Sequence, residues 1–76
     1  MTVSLVLEDS IAEGLGIAVG DRLTQMSGER VRDFVDFIYF EAMPELDMTI
    51  VRPDGEEYQV SIEKDETEPL GIAFEG

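Results

Sequence analysis

Six short segments of the chain carry the apolar and polar pattern of β-strands. The segments 46–52 and 57–64 alternate strictly, so that every second residue is apolar and shares one face. The segment 3–7 is a continuous apolar and β-branched run, which is also typical of a strand. Turn residues separate these segments, including Ser27-Gly28 and Asp54-Gly55. The predicted strands are 3–7, 22–26, 29–31, 46–52, 57–64 and 69–75.

A short helix is predicted after the first strand. Ser10 is placed as its N-cap, and Glu13 follows at the spacing of a capping box. Gly16 is placed as a left-handed C-terminal cap, because glycine adopts positive φ without steric cost. Ile17 is then expected to fold back onto the core.

A longer helix is predicted over 34–43, with Asp33 as its N-cap and Pro44 as its stop. Only two of its residues, Asp36 and Glu41, are polar, so apolar side chains point in nearly every direction. A small domain cannot bury a helix on all sides, and an exposed apolar wall indicates a groove or an interface. The residues expected in the core are Phe34, Phe37 and either Phe40 or Ile38. Some of Val35, Ile38, Tyr39 and Ala42 are expected to remain on the outer wall.

The length and the order of elements predict one small α+β domain over residues 1–76. Two helices, one short and one long, against five or six short strands indicate a partly open barrel or a sandwich. A binding module is a better expectation than an enzyme at this length, because an active site needs additional chain for its cleft. The last residues follow directly on an apolar segment, so we expect the domain to belong to a larger protein.

Charge and composition exclude several classes of function. The chain has 18 acidic and 5 basic residues, a formal net charge of -13. Such a surface disfavours nucleic acids and anionic membranes, and it favours basic or neutral partners. There is no cysteine and no histidine, which removes the usual zinc, thiol and imidazole chemistry. Ser10 and Ser27 therefore have no histidine base, and we expect a non-catalytic domain without a cofactor. No apolar run approaches the length of a membrane span, so a cytoplasmic location is the default expectation.

The segment from Ser10 to Val31 contains a pattern of small and apolar residues. It has a serine, an alanine and a glycine followed by an apolar residue, then Gly-Asp, an apolar residue and a tight turn. The residues that carry it are Ser10, Ala12, Gly16, Ile17, Gly20, Asp21, Leu23, Ser27 and Gly28. This pattern resembles the PDZ domains of bacterial proteases, although Ser27 stands where the family usually has asparagine. The later helix, strand and hairpin fit the same family in order and length.

The tetrapeptide Leu-Gly-Ile-Ala occurs twice, at 15–18 and 70–73. The first copy ends the short helix and is structural. The second copy, within Pro69-Leu70-Gly71-Ile72, resembles the carboxylate-binding loop of PDZ domains. That loop lies near the N-terminus in animal PDZ domains, so the resemblance here is to a circularly permuted member. It implies that backbone N–H groups around Gly71 bind a ligand carboxylate and that the following strand pairs with an extended peptide.

The resemblance implies a peptide-binding site between the last strand and the long helix. The partner would be a peptide or a protein C-terminus, and Lys64 would be the cation near its carboxylate. The candidate binding residues are Leu70, Gly71, Ile72, Ala73, Phe74, Val35, Ile38, Tyr39, Ala42 and Lys64. Segment 63–68 has four acids against the single base Lys64, namely Glu63, Asp65, Glu66 and Glu68. These acids oppose a terminal carboxylate, and Pro69 supplies no backbone donor.

A structural or docking role remains open beside peptide binding. The apolar helix wall then packs against other parts of the parent protein. The phrase Asp-Glu-Thr-Glu-Pro-Leu-Gly-Ile-Ala-Phe-Glu at 65–75 also looks like the end of the N-terminal PDZ-like segment of radical-SAM-type iron–sulfur proteins. In that case the iron–sulfur chemistry belongs to other parts of the parent, because this chain has no cysteine ligand.

Overall fold

The computed structural model describes residues 1–75, which form six strands and two helices. The elements are β1 (Val3–Val6), α1 (Ile11–Gly14), β2 (Arg22–Met26), β3 (Glu29–Arg30), α2 (Phe34–Glu41), β4 (Glu45–Val51), β5 (Glu57–Glu63) and β6 (Ile72–Phe74). The predicted α+β class, with one short and one longer helix, is confirmed. Neither helix in the described range has the length and apolar character to cross a bilayer.

The strands form two antiparallel sheets and not a closed barrel. The larger sheet has the order β3-β2-β4-β5, and the smaller one pairs β1 with β6. A single bridge between Thr2 and Arg22 brings the start of β1 to the larger sheet. Ser27 and Gly28 both have positive φ, 52° and 80°, as the two-residue turn between β2 and β3 requires.

The core collects buried apolar residues from both helices, from β1 and from the larger sheet. The alternation in β4 is confirmed, because Leu46, Met48 and Ile50 are all buried and pair with the half-buried apolar residues of β5. Strands buried on one face alternate in this way. The other buried apolar residues are Val3, Ala12, Ile17, Leu23, Met26, Val31, Phe37, Phe40 and Leu70.

The expectation that Phe34 fills the core is wrong. Phe37 and Phe40 are buried, whereas Phe34 is 55% exposed and Ile38 is 50% exposed. At about 100° per residue, Phe34 lies about 120° around the helix from Phe40. The helix can turn only one face to the sheet, and Phe37 with Phe40 occupies it. The helix also ends earlier than predicted, at Glu41.

Both predicted helix starts are confirmed. The Ser10 hydroxyl accepts a hydrogen bond from the backbone N–H of Glu13 at 3.2 Å. The Glu13 carboxylate accepts from the N–H of Asp9 at 3.1 Å, one residue before the usual capping-box position. The Asp33 carboxylate accepts from the N–H of Asp36 at 3.0 Å. The cap of α1 matters for the site, because α1 supports the start of β6.

Asp21 joins three separated parts of the chain through one buried carboxylate. It is 1% exposed, and its Oδ2 atom accepts from the N–H of Ala18 at 3.0 Å, Arg52 at 3.3 Å and the Tyr58 hydroxyl at 3.2 Å. Arg52 also donates to the carbonyl of Gly16 and lies over the Tyr58 ring, 4.5 Å from its centroid. Burial, followed by the charge of Asp21, raises the pKa of Tyr58 above its ordinary value, against the opposing charge of Arg52. The β4–β5 hairpin is thereby attached to the loop after α1.

We predict that Asp21→Ala destabilises the fold by about 2 to 3 kcal/mol, because the N–H of Ala18 and the Tyr58 hydroxyl lose their acceptor. Glu57→Ala is the matched control, since Glu57 is an exposed acid on β5. Its effect should stay within about 0.5 kcal/mol. Urea denaturation measures both free energies of unfolding. Equal effects of the two substitutions would contradict a structural role for the Asp21 carboxylate.

Candidate functional site

Strand β6 is bonded along one edge only. It lies beside β1 in a two-stranded sheet, and no described strand pairs with its other edge. The N–H of Leu7 donates to the carbonyl of Gly71 at 2.9 Å, and the N–H of Glu75 donates to the carbonyl of Thr2 at 2.9 Å. In an antiparallel pair, alternate residues of a strand bond to the partner. The backbone groups of Gly71, Ala73 and Glu75 therefore face β1.

The same alternation turns the backbone N–H and C=O groups of Ile72 and Phe74 away from β1. In the described part of the chain, neither residue forms a backbone hydrogen bond outside the β1–β6 ladder. A row of such unpaired groups is a template for another extended segment. The outer edge of β6 is therefore able to accept an added strand.

Helix α2 lies close to β6. The Phe37 ring packs edge-to-face on Phe74 with 4.8 Å between centroids. Two open cavities are lined by residues of both elements. The first, about 220 Å³, is lined by Leu5, Leu7, Phe34, Phe37, Glu41, Pro69, Gly71, Ile72 and Ala73. The second, about 680 Å³, is lined by Met1, Arg32, Asp33, Phe34, Ile72, Ala73, Phe74 and Glu75. We refer to both together as the β6–α2 groove.

The rim of the first cavity is apolar and exposed. Leu5 and Leu7 in the β1 segment are 50% and 52% exposed, and Phe34 on α2 is 55% exposed. Large apolar side chains grouped on the surface of a small domain mark a place where another molecule binds. Glu41 is the single charged residue in the lining of this cavity.

The start of β6 is fixed by close contact with α1. Leu70 is fully buried, and its carbonyl accepts from the N–H of Ala12 at 3.0 Å. Gly71 has φ +84°, and a Cβ atom at that position would lie 2.4 Å from the Cβ of Ser10. Real Cβ contacts are not this short, so only glycine fits here. These contacts also explain why β6 begins at Ile72 and not at Pro69, as the sequence pattern had predicted.

The loop before β6 binds a carboxylate from the same chain. The N–H of Leu70 donates to Oε2 of Glu41 at 3.0 Å. Glu41 comes from the last turn of α2, so this bond joins the helix to the loop at one end of the groove. A donor that the resemblance would assign to a ligand carboxylate is therefore used within the chain.

Nine of the ten predicted site residues fall into three places in the structure. Gly71, Ile72, Ala73 and Phe74 line the groove, whereas Leu70 lies in the core. Val35, Ile38, Tyr39 and Ala42 are exposed, as expected for an outer wall. They do not line either cavity of the groove, which is bordered on the helix side by Phe34, Phe37 and Glu41.

Lys64 lies apart from the groove lining. Its ammonium group donates to the backbone carbonyl of Asp65 at 3.1 Å, and its N–H donates to the carbonyl of Pro44 at 2.8 Å. The Asp65 carboxylate accepts from the backbone N–H and the hydroxyl of Thr67, and these bonds lower the pKa of Asp65. The acidic loop is thus organised by its own hydrogen bonds, with Lys64 bound to that loop.

Several groove residues were not among those predicted from the sequence. They include Leu5, Leu7, Phe34, Phe37 and Glu41. The helix residues had a detectable signal, because Phe34, Phe37 and Glu41 are spaced three and four apart and share one face. Leu5 and Leu7 alternate within the first strand, which places them on one side of it. The sequence did not show that the first strand pairs with β6, so Leu5 and Leu7 could not be assigned to the groove.

In comparisons with known proteins, no family profile matches this chain and no curated protein matches it. The function is therefore argued from the β6–α2 groove.

We predict that Gly71→Ala destabilises the fold by more than Gly28→Ala, which has nearly the same φ, +80°, but open space around its Cβ position. Positive φ costs alanine about 1 to 2 kcal/mol at either site. The contact with Ser10 adds to this cost at Gly71 only. Urea denaturation of both variants measures the difference.

Ser10→Gly in the Gly71→Ala background tests the cause, because it removes the Cβ atom that clashes. Glycine is also a tolerated N-cap, costing only about a few tenths of a kcal/mol. We expect the double variant to recover stability relative to Gly71→Ala alone. Equal losses for Gly71→Ala and Gly28→Ala, with no recovery, would contradict the close contact.

Proposed function

We propose that this domain is a peptide-binding module that takes up an extended segment by strand addition on the outer edge of β6. The observation that carries the proposal is the open edge of Ile72 and Phe74 beside an apolar groove. Main-chain hydrogen bonds to such an edge provide affinity, and pockets for alternate side chains provide specificity.

The groove suits a short segment of a few residues. β6 is three residues long, so an added strand forms only a few main-chain bonds, and its alternate side chains must supply the remaining affinity. The cavity of about 220 Å³ has room for one or two apolar side chains. Phe34 and Leu5 then contact the apolar side chain that enters this cavity. We expect moderate affinity, since the interface is small.

The element order supports a PDZ-like arrangement as part of this proposal. A strand, a short helix, a β-hairpin and a longer helix precede two strands and a glycine loop. That loop leads into the groove-forming strand, as the carboxylate-binding loop does in the family that the sequence resembles. A circularly permuted PDZ-like domain is the family that we propose on these grounds.

The larger sheet also has open edges, on β3 and on β5. Both are less suited to binding a peptide. Strand β3 has only two residues, and β5 carries the exposed acids Glu57 and Glu63 at its two ends. Acidic side chains along an exposed edge discourage pairing with another strand. We therefore assign strand addition to β6.

Docking onto another part of a parent protein is the second candidate function. It is favoured by the outward face of α2, where Val35, Ile38 and Tyr39 are 74%, 50% and 64% exposed. In this alternative the domain is a non-catalytic structural element, and the parent could be an iron–sulfur protein. The two candidates use different faces of the same helix, which makes them separable by mutation.

We predict that Phe34→Ala weakens peptide binding and that Val35→Ala does not. The two residues are neighbours on α2 and both are exposed, but only Phe34 lines the groove. Covering the Phe34 ring is worth about 1 to 2 kcal/mol, so the apparent affinity should fall roughly five- to thirtyfold. The measurement is a titration of the ¹⁵N-labelled domain with a pool of random extended peptides, acetylated and amidated, followed by amide chemical shifts.

Peptide-dependent shifts at 70–74 that need higher peptide concentrations in Phe34→Ala support groove binding. Absence of shifts with the pool would overturn it. Shifts on the outward face of α2 that Val35→Ala abolishes would instead favour the docking function.

A further inference from the structure

Glu41 places a negative charge at one end of the β6–α2 groove. Its Oε2 atom accepts from the N–H of Leu70 at 3.0 Å, which fixes the carboxylate beside Pro69 and Gly71. Its Oε1 atom has no hydrogen-bond partner among residues 1–75 and is not buried. One carboxylate oxygen therefore holds the loop, and the other is available to a ligand.

No basic side chain lines the cavity next to Glu41 in the described structure. Lys64 is bonded to the carbonyl of Asp65, and Arg32 lies at the other cavity with Asp33 and Glu75. The loop that leads to Pro69 carries three further acids, Asp65, Glu66 and Glu68. The charge at the Glu41 end is thus not balanced by the chain itself.

We propose that Glu41 determines the ligand class of the groove: an internal extended segment with a lysine or arginine where it passes Glu41, and not a segment that ends there in a free carboxylate. This inference rests on the proposed strand addition. The N–H of Leu70 is already occupied, and a second carboxylate beside Glu41 would meet a like charge. A ligand lysine or arginine there forms an ion pair with Oε1 of Glu41. The cavity holds a neighbouring apolar residue of the same ligand.

The direction of the segment follows from pairing energetics. Antiparallel pairs are more stable per residue than parallel ones. Because β6 runs away from the Gly71 loop, an antiparallel segment approaches that loop with its C-terminal side. The basic residue therefore follows the apolar residue in the ligand sequence.

The test uses three acetylated probe peptides with one valine–threonine body. The first ends in valine amide, the second in valine with a free carboxylate, and the third continues from valine to lysine amide. We expect the lysine peptide to bind the wild-type domain roughly two- to fivefold more tightly than the valine amide, as for a partly exposed ion pair. The free carboxylate should bind more weakly than the amide. Amide shifts of 70–74 report binding in the groove.

Glu41→Gln is the decisive variant, because it keeps an oxygen that accepts from Leu70 and removes the charge. Glu57→Gln removes one charge from β5 at a distance and controls for the net charge of the domain. We expect Glu41→Gln to abolish most of the preference for lysine and against the carboxylate, while Glu57→Gln retains both.

The outcomes separate this inference from the proposed function. Peptides that shift 70–74 with the same preferences in Glu41→Gln as in Glu57→Gln would overturn the inference and leave strand addition intact. A wild-type preference for the free carboxylate would also overturn it, since the ligand would then displace Glu41. No shifts with any of the peptides, in the wild type or the variants, would overturn strand addition and the inference with it.

Discussion

The close approach of Gly71 to Ser10 is the constraint on which the groove depends. The loop before β6 lies so close to the N-terminus of α1 that only glycine fits at position 71. The buried side chain of Leu70 and the bond from the N–H of Ala12 to the Leu70 carbonyl also hold this loop to α1. Since β6 begins immediately afterwards, these contacts set the position of its outer edge. Helix α1 is only four residues long, yet through this loop it determines where a ligand strand can lie.

One face of helix α2 packs in the core, and its other faces are exposed on the surface. Phe37 and Phe40 are buried, Phe34 and Glu41 border the groove, and Val35 with Tyr39 faces outward. A nearly all-apolar sequence is needed for a helix that packs on two sides in so small a domain. The bond from Leu70 to Glu41 then joins the helix to the β6 loop and sets the width of the groove at that end. In this account the Glu41 carboxylate both supports the loop before β6 and selects the ligand.

Local rules predicted most of the fold from the sequence. Period-two alternation identified β4 and β5, and capping residues identified both helix starts, because these signals depend on neighbouring residues only. The exposure of Phe34 could not be predicted, since it depends on which face of α2 the sheet accepts. Leu70 was expected to line a pocket because its neighbours resemble a binding loop. It lies in the core because α1 and α2 enclose it, and that enclosure is a tertiary property. The role of Glu41 also needed the structure, because it lies 29 residues before Leu70.

Amide hydrogen exchange at β6 tests the central claim most directly. If the outer edge is open, Ile72 and Phe74 exchange rapidly in the free domain, whereas Ala73 and Glu75 are protected by β1. An added strand should then slow exchange at Ile72 and Phe74 and leave Ala73 and Glu75 unchanged. Protection of Ile72 and Phe74 in the free domain, or no change in their exchange on addition of the extended-peptide pool, would contradict strand addition at this edge.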